Sequence, residues 1–296
     1  MGIAALDYGT NILPLCPQVD VLLATYRPDA AMLKEQIDSI LAQRAVTVNL
    51  IRREDIDGSG VRENFSAMLA ESHGDYVAFS DQDDVWDKDK LVKCFGKMYE
   101  LEKIYGKNIP LLVFCNGYVT DVKLNCKSGT VLSRQNIEVK TGLKFNRLLM
   151  QNFVAGNSML FNAALREKAG RVPRKALLHD SWIVLVASAF GQIGIVDEPL
   201  YLYRQHDKNV IGATTYGVHH FWKRLLDGSA SWRMRLVSNI EEASAFVERF
   251  GEEAPECAVA LSTLLTCGWL QRRLRIFRHR LFKHGLIRNL ALIMFA

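Results

Sequence analysis

The sequence lacks several features that define other classes of protein. None of its six cysteines forms a Cys-x-x-Cys pair, which argues against a zinc ribbon or a thioredoxin-like redox site. No apolar run approaches the roughly 20 residues of a membrane-spanning helix. The first residues show no positively charged segment followed by an apolar one, so we expect no secretory signal. Together these absences favour a cytosolic or peripheral protein with reduced thiols.

Acidic residues are also absent after Glu256, although the whole chain has 32 of them. The segment after Glu256 carries seven basic residues, Arg272, Arg273, Arg275, Arg278, Arg280, Lys283 and Arg288. The rest of the chain is slightly acidic, so the net charge of +5 comes from this segment. A local basic segment favours a local anionic partner, and no DNA- or RNA-binding motif appears, so we expect no nucleic-acid partner.

The first half of the sequence alternates between strand-like and helix-like patterns. Strands are predicted at 19–24, 46–51, 75–79 and 111–115, and helices at 30–43, 63–72 and 88–105. With 296 residues, of which 49% are hydrophobic, the chain can bury a sizeable core. The alternation predicts a parallel-type sheet with helices on its faces. Because ligands bind at the carboxyl ends of such strands, the turn at Thr25, the stretch 54–59 and the acids from Asp81 onward are candidate site residues.

Three carboxylates, Asp81, Asp83 and Asp84, lie within four residues directly after a predicted buried strand. Such carboxylates repel one another and need a cation or strong hydrogen-bond donors. Mg²⁺ prefers oxygen ligands and often keeps only one or two protein carboxylates, while substrate phosphates complete its shell. The alternative is a solvated acidic turn before the helix near Lys88, where acids are favourable.

The residues around these acids resemble the aspartate-rich motif of the family 2 glycosyltransferases of the GT-A fold. The motif reads Phe79-Ser80-Asp81-Gln82-Asp83-Asp84-Val85-Trp86. Three further segments resemble the family in the same order, namely Leu22-Leu23-Ala24-Thr25-Tyr26-Arg27-Pro28, Ile37-Asp38-Ser39-Ile40-Leu41-Ala42-Gln43 and Gly74-Asp75-Tyr76. The resemblance covers residues 18–215, and a later Tyr203-Arg204-Gln205-His206 is similar to the rhamnosyltransferase-like bacterial branch.

The resemblance implies roles for individual residues at the donor site. Thr25 and Tyr26 would line the nucleotide pocket. Asp81 would lie near the donor ribose, Asp83 would be the principal metal ligand, and Asp84 would support the site or touch the sugar. The implied cofactor is Mg²⁺ or Mn²⁺, and the implied donor is a nucleotide sugar, with dTDP-rhamnose as the candidate of this branch.

Arg204 and His206 follow the apolar segment 193–202. Arg204 offers a planar set of N–H donors to phosphate oxygens. His206 could complete the metal shell or touch the diphosphate, although a lone histidine is more often structural. The match to Tyr-Arg-Gln-His, followed by Asn209 and Gly212, favours the functional interpretation.

The stretch after the second strand departs from the family pattern. The family usually has Asp-Asp-Gly-Ser there, then a helix and a further strand, but here 51–59 runs almost directly into the later helix. About twenty family positions are missing. Asp55 or Asp57 is the candidate donor-binding acid, and the alternative is a polar turn built from Asp, Gly and Ser. We expect these missing positions to alter base recognition and the outer part of the sheet, and they bear on whether the chain is active.

Two later segments are candidates for the acceptor side. Gly156 and Asn157 form a small-residue turn before an apolar strand, and glycine permits close approach of a ligand to the backbone. A simple tight turn is the alternative, whereas the resemblance favours an active-site wall. His179 and Trp182 flank Asp180 and are assigned to the same side.

Asp180 resembles the general base of the family. An inverting reaction needs one carboxylate that takes the proton of the acceptor hydroxyl while its oxygen attacks the sugar. The alternative role is a helix N-cap, which is a common use of aspartate.

From residue 218 onward the pattern is helical. Leu270, Leu274, Phe277 and Leu281 fall on one narrow stripe of a helix, and the arginines spread around the rest. A basic amphipathic helix near Trp269, with an apolar end at 290–296, is suited to an anionic membrane surface. The alternative is a helix packed on the catalytic domain with a solvated basic face.

The sequence therefore predicts a GT-A mixed α/β sheet flanked by helices at 18–217 and a helical extension at 218–296. The predicted function is inverting, metal-dependent transfer of a sugar, with rhamnose as candidate, to a lipid-linked or polysaccharide acceptor. The predicted location is the inner face of the cell membrane. The alternative is a catalytically impaired GT-A-fold binding or scaffold protein at the membrane surface.

Overall fold

The computed structural model describes residues 16–135, 137–206 and 229–296. Asn209 and Gly212 lie outside these residues, and so does the predicted domain boundary between 217 and 218.

Strands and helices alternate in the first half as the sequence pattern predicts, except that a two-residue strand that was not predicted follows the third strand directly. The elements are β1 (Gln18–Thr25), α1 (Ala30–Leu41), β2 (Thr47–Glu54), α2 (Val61–Glu71), β3 (Tyr76–Ser80), β4 (Val85–Trp86), α3 (Lys90–Tyr105) and β5 (Leu111–Thr120). Helix α1 begins after Asp29, whose carboxylate accepts hydrogen bonds from two backbone N–H groups of the first turn, as an N-cap does. Strand β2 extends beyond its predicted end at residue 51 because it pairs with β1 along the whole of that strand.

The second half contains more helix than strand. Its elements are β6 (Cys126–Thr130), α4 (Val131–Gln135), α5 (Val139–Gly142), α6 (Phe145–Leu148), β7 (Met159–Asn162), α7 (Ala163–Ala169), α8 (His179–Phe190), β8 (Gln192–Arg204), α9 (Ser229–Phe250), α10 (Glu256–Ser262), α11 (Trp269–Arg278) and α12 (Leu286–Phe295). Within the described part, every element after β8 is helical, as predicted for the C-terminal extension.

The sheet has the order β2-β1-β3-β7-β5-β8-β4, with β6 paired to β5. Strands β1, β2 and β3 are parallel, and β8 is parallel to β5. Strand β7 runs antiparallel to both β3 and β5. The predicted mixed α/β fold is therefore confirmed, whereas the parallel-type sheet is correct only in part. Apolar periodicity reveals a strand but carries no information about its direction.

The shortened segment after β2 has a clear structural counterpart. Strand β2 lies at the edge of the sheet, and only residues 55–60 connect it to α2. The chain therefore adds no helix or strand outside β2 at this point.

Alternate side chains of β1 enter the two layers of the core. Leu22 packs with Phe65 on one face, and Val21 packs with Ile40 on the other. The extension belongs to the first of these layers, since the Phe246 ring of α9 lies 5.6 Å from the ring of Trp182 in α8. Burial of such aromatic pairs couples the extension to the sheet domain.

None of the helices in residues 16–135, 137–206 and 229–296 is both long enough and apolar enough to cross a membrane.

Candidate active site

The acidic turn after β3 lies at the carboxyl edge of the sheet and is held from two sides. Gln82 accepts a hydrogen bond from the Tyr26 backbone N–H (2.7 Å) and donates one to the Tyr26 carbonyl (3.2 Å). On the other side, the buried Gln36 amide lies 2.6 Å from Ser80 Oγ and 2.6 Å from the Asp84 carbonyl oxygen. These contacts join the turn to the end of β1 and to α1, so its carboxylates are fixed in place.

Asp84 is fully buried at the centre of this turn. Its carboxylate accepts hydrogen bonds from the Asn157 side-chain amide and from the Arg204 backbone N–H (3.1 Å). Burial raises the pKa of Asp84 well above its ordinary value, and the nearby Asp81 and Asp83 charges add to the effect,. The contact joins a predicted donor-site acid to a predicted acceptor-side amide.

Lys90, in the first turn of α3, is a fully buried cation beside the acids. Its Nζ donates to the Asn157 carbonyl oxygen (2.6 Å) and lies 3.1 Å from the centre of the Trp86 ring. Burial lowers the pKa of Lys90 to about 8, while Cys115 and Cys94, and after them Asp84 and Asp81, act in the opposite direction. The positive charge compensates part of the acidic cluster.

Asp83 and His206 form a direct pair at the open side of the turn. His206 Nε2 lies 2.7 Å from Asp83 Oδ2, and each side chain is 16% exposed. Within the described residues, no group of three or more His, Cys, Asp or Glu side chains converges as a metal site. The Asp83 carboxylate fits Mg²⁺ or Mn²⁺, since Mg²⁺ commonly takes only one or two protein carboxylates and fills its shell with phosphate and water, while the imidazole is a ligand more usual for softer divalent metals.

Arg204 is buried behind the turn, with its guanidinium on protein acceptors. Nε donates to the Asp83 carbonyl (2.8 Å), Nη1 donates to the Val122 carbonyl (2.8 Å), and Nη2 pairs with Glu35. These contacts hold the backbone that carries Asp83. A contact of Arg204 with the donor diphosphate stays a prediction.

Asp180 is half-buried in the first turn of α8. Burial raises the pKa of Asp180 to about 6, against the lowering effect of the Ser181 and Gly156 backbone N–H groups. The pKa of Asp81 is raised to about 7 by burial, then by Asp83 and by Asp180. The structure thus brings the predicted base and the predicted donor-site acids into one electrostatic cluster. The N-cap position itself belongs to Leu178.

The turn Gly156–Ser158 connects the acids to α8. A side chain at position 156 would place its Cβ 2.9 Å from His179 Nε2 and 3.5 Å from Asp180 Cβ. Glycine is therefore required by the close approach of α8 to this turn. The structure places this turn beside Asp180, and its role as a wall that contacts an acceptor stays a prediction.

His179 and Trp182 lie in the core and not on an open surface. His179 stacks on Phe65 with ring centres 3.8 Å apart, and burial lowers its pKa to about 3, so the ring is neutral. Trp182 is fully buried, and its Nε1 donates to the Ala169 carbonyl (3.1 Å). An acceptor cannot reach either side chain in this arrangement. Both side chains instead pack in the core and support α8.

The remaining predicted donor residues lie at the ends of β1 and β2. Thr25 is buried, while Tyr26 is half exposed, and the Asp55 backbone N–H donates to the Thr25 carbonyl (2.7 Å). Both Asp55 carboxylate oxygens accept hydrogen bonds within the following turn, from Ser59 N (2.9 Å) and Gly60 N (2.8 Å). Asp55 therefore forms the hydrogen-bonded polar turn that was the alternative to a donor-binding acid. Asp57 is exposed.

Sequence reasoning missed Lys90, Gln82 and Gln36 as site residues. A lysine one turn after an acidic motif is an indication of charge compensation, but most such lysines are solvated. The two glutamines carry no comparable signal, because an amide contact across more than 40 residues depends on the fold.

No protein-family model matches the chain. Among curated proteins, the chain is similar to the dTDP-rhamnosyl transferase RfbG of Shigella flexneri, with 23% identity over an alignment of 267 residues and with coverage of 75% of this chain and 84% of that protein. The predicted resemblance to glycosyltransferases is thereby confirmed.

Two solved structures are also similar. TarS 1–349 of S. aureus, in complex with UDP-GlcNAc, gives a TM-score of 0.48 at 13% identity and covers 88% of this chain and 89% of that one. The mannosyltransferase PcManGT from Pyrobaculum calidifontis, in complex with GDP-Man and Mn²⁺, gives 0.45 at 14% identity, with coverage of 90% and 86%.

Proposed function

We propose that this chain, a glycosyltransferase of GT-A type, transfers a sugar from a nucleotide-diphosphate donor to an acceptor hydroxyl with inversion at the anomeric carbon. The observation that carries the proposal is the position of Asp180. Its half-buried carboxyl has a raised pKa of about 6 and shares one electrostatic cluster with Asp81 at the carboxyl edge of the sheet. A carboxylate with a pKa just below neutrality is ionised at pH 7 and still basic enough to accept a proton.

The proposed chemistry is a single displacement. The acceptor oxygen forms a bond to the anomeric carbon from the side opposite the diphosphate, and the bond from that carbon to the diphosphate oxygen breaks. The bonding electrons leave with the nucleoside diphosphate, and the hydroxyl proton passes to Asp180. Separation of base and leaving group on opposite faces of the sugar gives inversion.

Asp83 and His206 are the residues that would hold Mg²⁺ or Mn²⁺. A divalent cation bound there would neutralise charge on the diphosphate and so favour its departure. The chain supports this position through Arg204, which holds the Asp83 carbonyl. Lys90 and the amide of Asn157 keep the buried Asp84 in place behind it.

The nucleotide would bind beside Thr25 and Tyr26, with Asp55 or Asp57 near the base or ribose. The half-exposed Tyr26 ring is fixed through its backbone by Gln82, which suits a stacking surface. We propose dTDP-rhamnose as the donor, since the curated relative is named as a dTDP-rhamnosyl transferase. The proposed acceptor is a lipid-linked or surface polysaccharide.

The C-terminal helices supply the proposed contact with the inner membrane face. In α11 and α12, seven large apolar side chains are more than half exposed, Trp269, Leu270, Leu274, Phe277, Leu286, Leu290 and Met294. Arg278 and Arg280 are exposed in the same region, and no acid follows Glu256. Apolar side chains flanked by arginine suit an anionic lipid surface, which would hold the site near a lipid-linked acceptor.

A second candidate function is a binding or scaffold protein without transfer activity. The short connection from β2 to α2 favours it, because among the described residues no further strand pairs with the outer edge of β2, next to the donor residues. Such a protein would bind a nucleoside diphosphate without cleaving the donor.

One experiment distinguishes these functions. The purified full chain is incubated with a panel of nucleotide sugars, with Mg²⁺, Mn²⁺ or chelator, and with an alkyl glycoside as mimic of a lipid-linked acceptor. Transfer, or release of nucleoside diphosphate, that requires the cation and is lost in Asp83→Ala supports the enzyme. Nucleotide binding without release from any donor supports the scaffold.

A further inference from the structure

Glu242, in the C-terminal extension, is a fully buried acid beside the helix turn that carries Asp180. The side chain projects from α9 with 0% exposure. Its Oε1 lies 2.5 Å from Ser181 Oγ and accepts a hydrogen bond from the Leu177 backbone N–H (3.1 Å). One carboxyl oxygen therefore contacts the chain on both sides of the Asp180 position.

The Ser181 hydroxyl is the group that closes the first turn of α8. It accepts a hydrogen bond from Leu178 N–H (3.1 Å) and lies 2.9 Å from the Leu178 carbonyl oxygen. Asp180 lies between these two residues, and its own carboxylate accepts from the Ser181 N–H (2.6 Å). A shift of Ser181 would therefore move the predicted base.

The buried carboxyl of Glu242 lowers the stability of the fold, so stability does not explain why an acid is present at this position. Among the described residues, Glu242 Oε2 has no hydrogen-bond partner although it is buried. Burial raises the pKa of Glu242 to about 7, and Asp180 adds to this rise. A buried polar oxygen without a partner costs about 1–3 kcal/mol, and an apolar side chain of the same size would avoid that cost. The presence of an acid here despite this loss of stability indicates that its contacts with Ser181 and Leu177 are required.

We propose that Glu242 is a positioning residue for Asp180, through which the C-terminal extension fixes the first turn of α8. The inference rests on the proposed function, since it assigns Asp180 as the base. Glu242 does not touch substrate and acts through Ser181 and Leu177. The extension is then part of the catalytic architecture and not only a contact with the membrane.

The test compares Glu242→Met, which keeps the volume but removes both contacts, with Glu242→Gln, which keeps an acceptor oxygen for Ser181 and Leu177. Glu241→Gln, an exposed neighbour on the same helix, is the matched control. We expect Glu242→Met to lower kcat roughly 10- to 100-fold, as a small misplacement of a catalytic group does. The KM and Kd for the donor should stay near wild type, and Glu242→Gln should restore most of kcat.

Ser181→Ala provides an independent variant if Glu242→Met does not fold. Its kcat should fall in the same way, because the Ser181 hydroxyl is one of the two groups through which Glu242 reaches the first turn of α8. A folded Glu242→Met or Ser181→Ala protein with kcat within about twofold of wild type would overturn the inference while the proposed function stands. A wild-type chain with neither transfer nor donor cleavage would overturn both.

Discussion

The side-chain amide of Asn157 donates a hydrogen bond to the carboxylate of Asp84, and both side chains are buried. The contact connects the turn before β7 with the turn after β3. It therefore links the predicted acceptor wall to the predicted donor acids, which are 73 residues apart in the chain.

Replacement of Asn157 tests this link directly. We expect Asn157→Ala to lower the free energy of unfolding by about 1–3 kcal/mol, because it leaves a buried carboxylate without one of its donors. Urea unfolding of the variant gives the change. Asn108→Ala, at an exposed turn position, should be within about 0.5 kcal/mol of wild type. Equal stability of the two variants would contradict a structural role for the amide.

Lys90 is expected to stabilise the acidic cluster by its charge. Lys90→Met removes the donor to the buried Asn157 carbonyl and a positive charge near the acids, so it should lower the free energy of unfolding by about 1–3 kcal/mol in thermal or urea unfolding. Adding Asp84→Asn, which removes an opposing charge, should recover part of the loss. Lys103→Met, at an exposed position of the same helix, serves as control. If Asp84→Asn worsened Lys90→Met additively, the two groups would not be coupled.

Asp180 is expected to act as the base. Asp180→Asn should lower kcat about 10²–10⁴-fold, the usual contribution of a general base, with little effect on the donor Kd. Since the base must be ionised and its pKa is raised to about 6, kcat/KM should fall with one proton as pH decreases through about 6. Asp197→Asn, an exposed acid on β8, should keep wild-type kinetics. A profile that is flat from pH 5 to 8 would argue against this assignment.

The same raised pKa predicts an effect on stability. Between pH 4 and 6 the folded chain holds a proton on Asp180 that the unfolded chain has lost. The contribution of Asp180 to the free energy of unfolding therefore decreases as pH rises through this window. Asp180→Asn removes the ionisation, so its stability relative to wild type should increase from pH 4 to pH 7. Chemical unfolding at several pH values measures the difference, and a constant difference would contradict the burial effect.

Asp83 and His206 are expected to bind the cation together. Isothermal titration of Mn²⁺ in the presence of a nucleoside diphosphate should show uptake by wild type. Asp83→Asn and His206→Ala should each weaken it, and transfer should fall on the order of 10²-fold as electrostatic help to the leaving group is lost. Asp197→Asn, exposed on β8, should bind Mn²⁺ normally. Unchanged Mn²⁺ affinity in both variants would exclude this pair as the ligands.

The exposed side chains of α11 are expected to bind anionic lipid. Leu274→Ser with Phe277→Ser should weaken binding to vesicles containing phosphatidylglycerol at least tenfold, which requires a loss of only about 1.4 kcal/mol. Flotation with neutral phosphatidylcholine vesicles tests the role of the arginines. Ile104→Ser, at an exposed apolar position of α3, is the control. Failure of wild type to float with anionic vesicles would remove the membrane from the proposal.

The sequence by itself determined most of the first half of the fold and indicated the chemistry of the site. Apolar periodicity located β1, β2, β3 and β5 but not the two-residue β4. The motif order indicated Asp81, Asp83 and Asp180, because these signals are local and depend on spacing along the chain. Only the tertiary structure decided the direction of β7, the buried partners of Asp84 and the position of His179 and Trp182 in the core.

The same distinction explains Lys90 and Glu242. Their side chains act through groups more than 60 residues away, and a charged residue in a helix gives no sign in sequence of whether it faces water or a buried acid. Burial depends on how elements pack, and packing is a property of the whole chain, so these two residues became visible only in the folded protein.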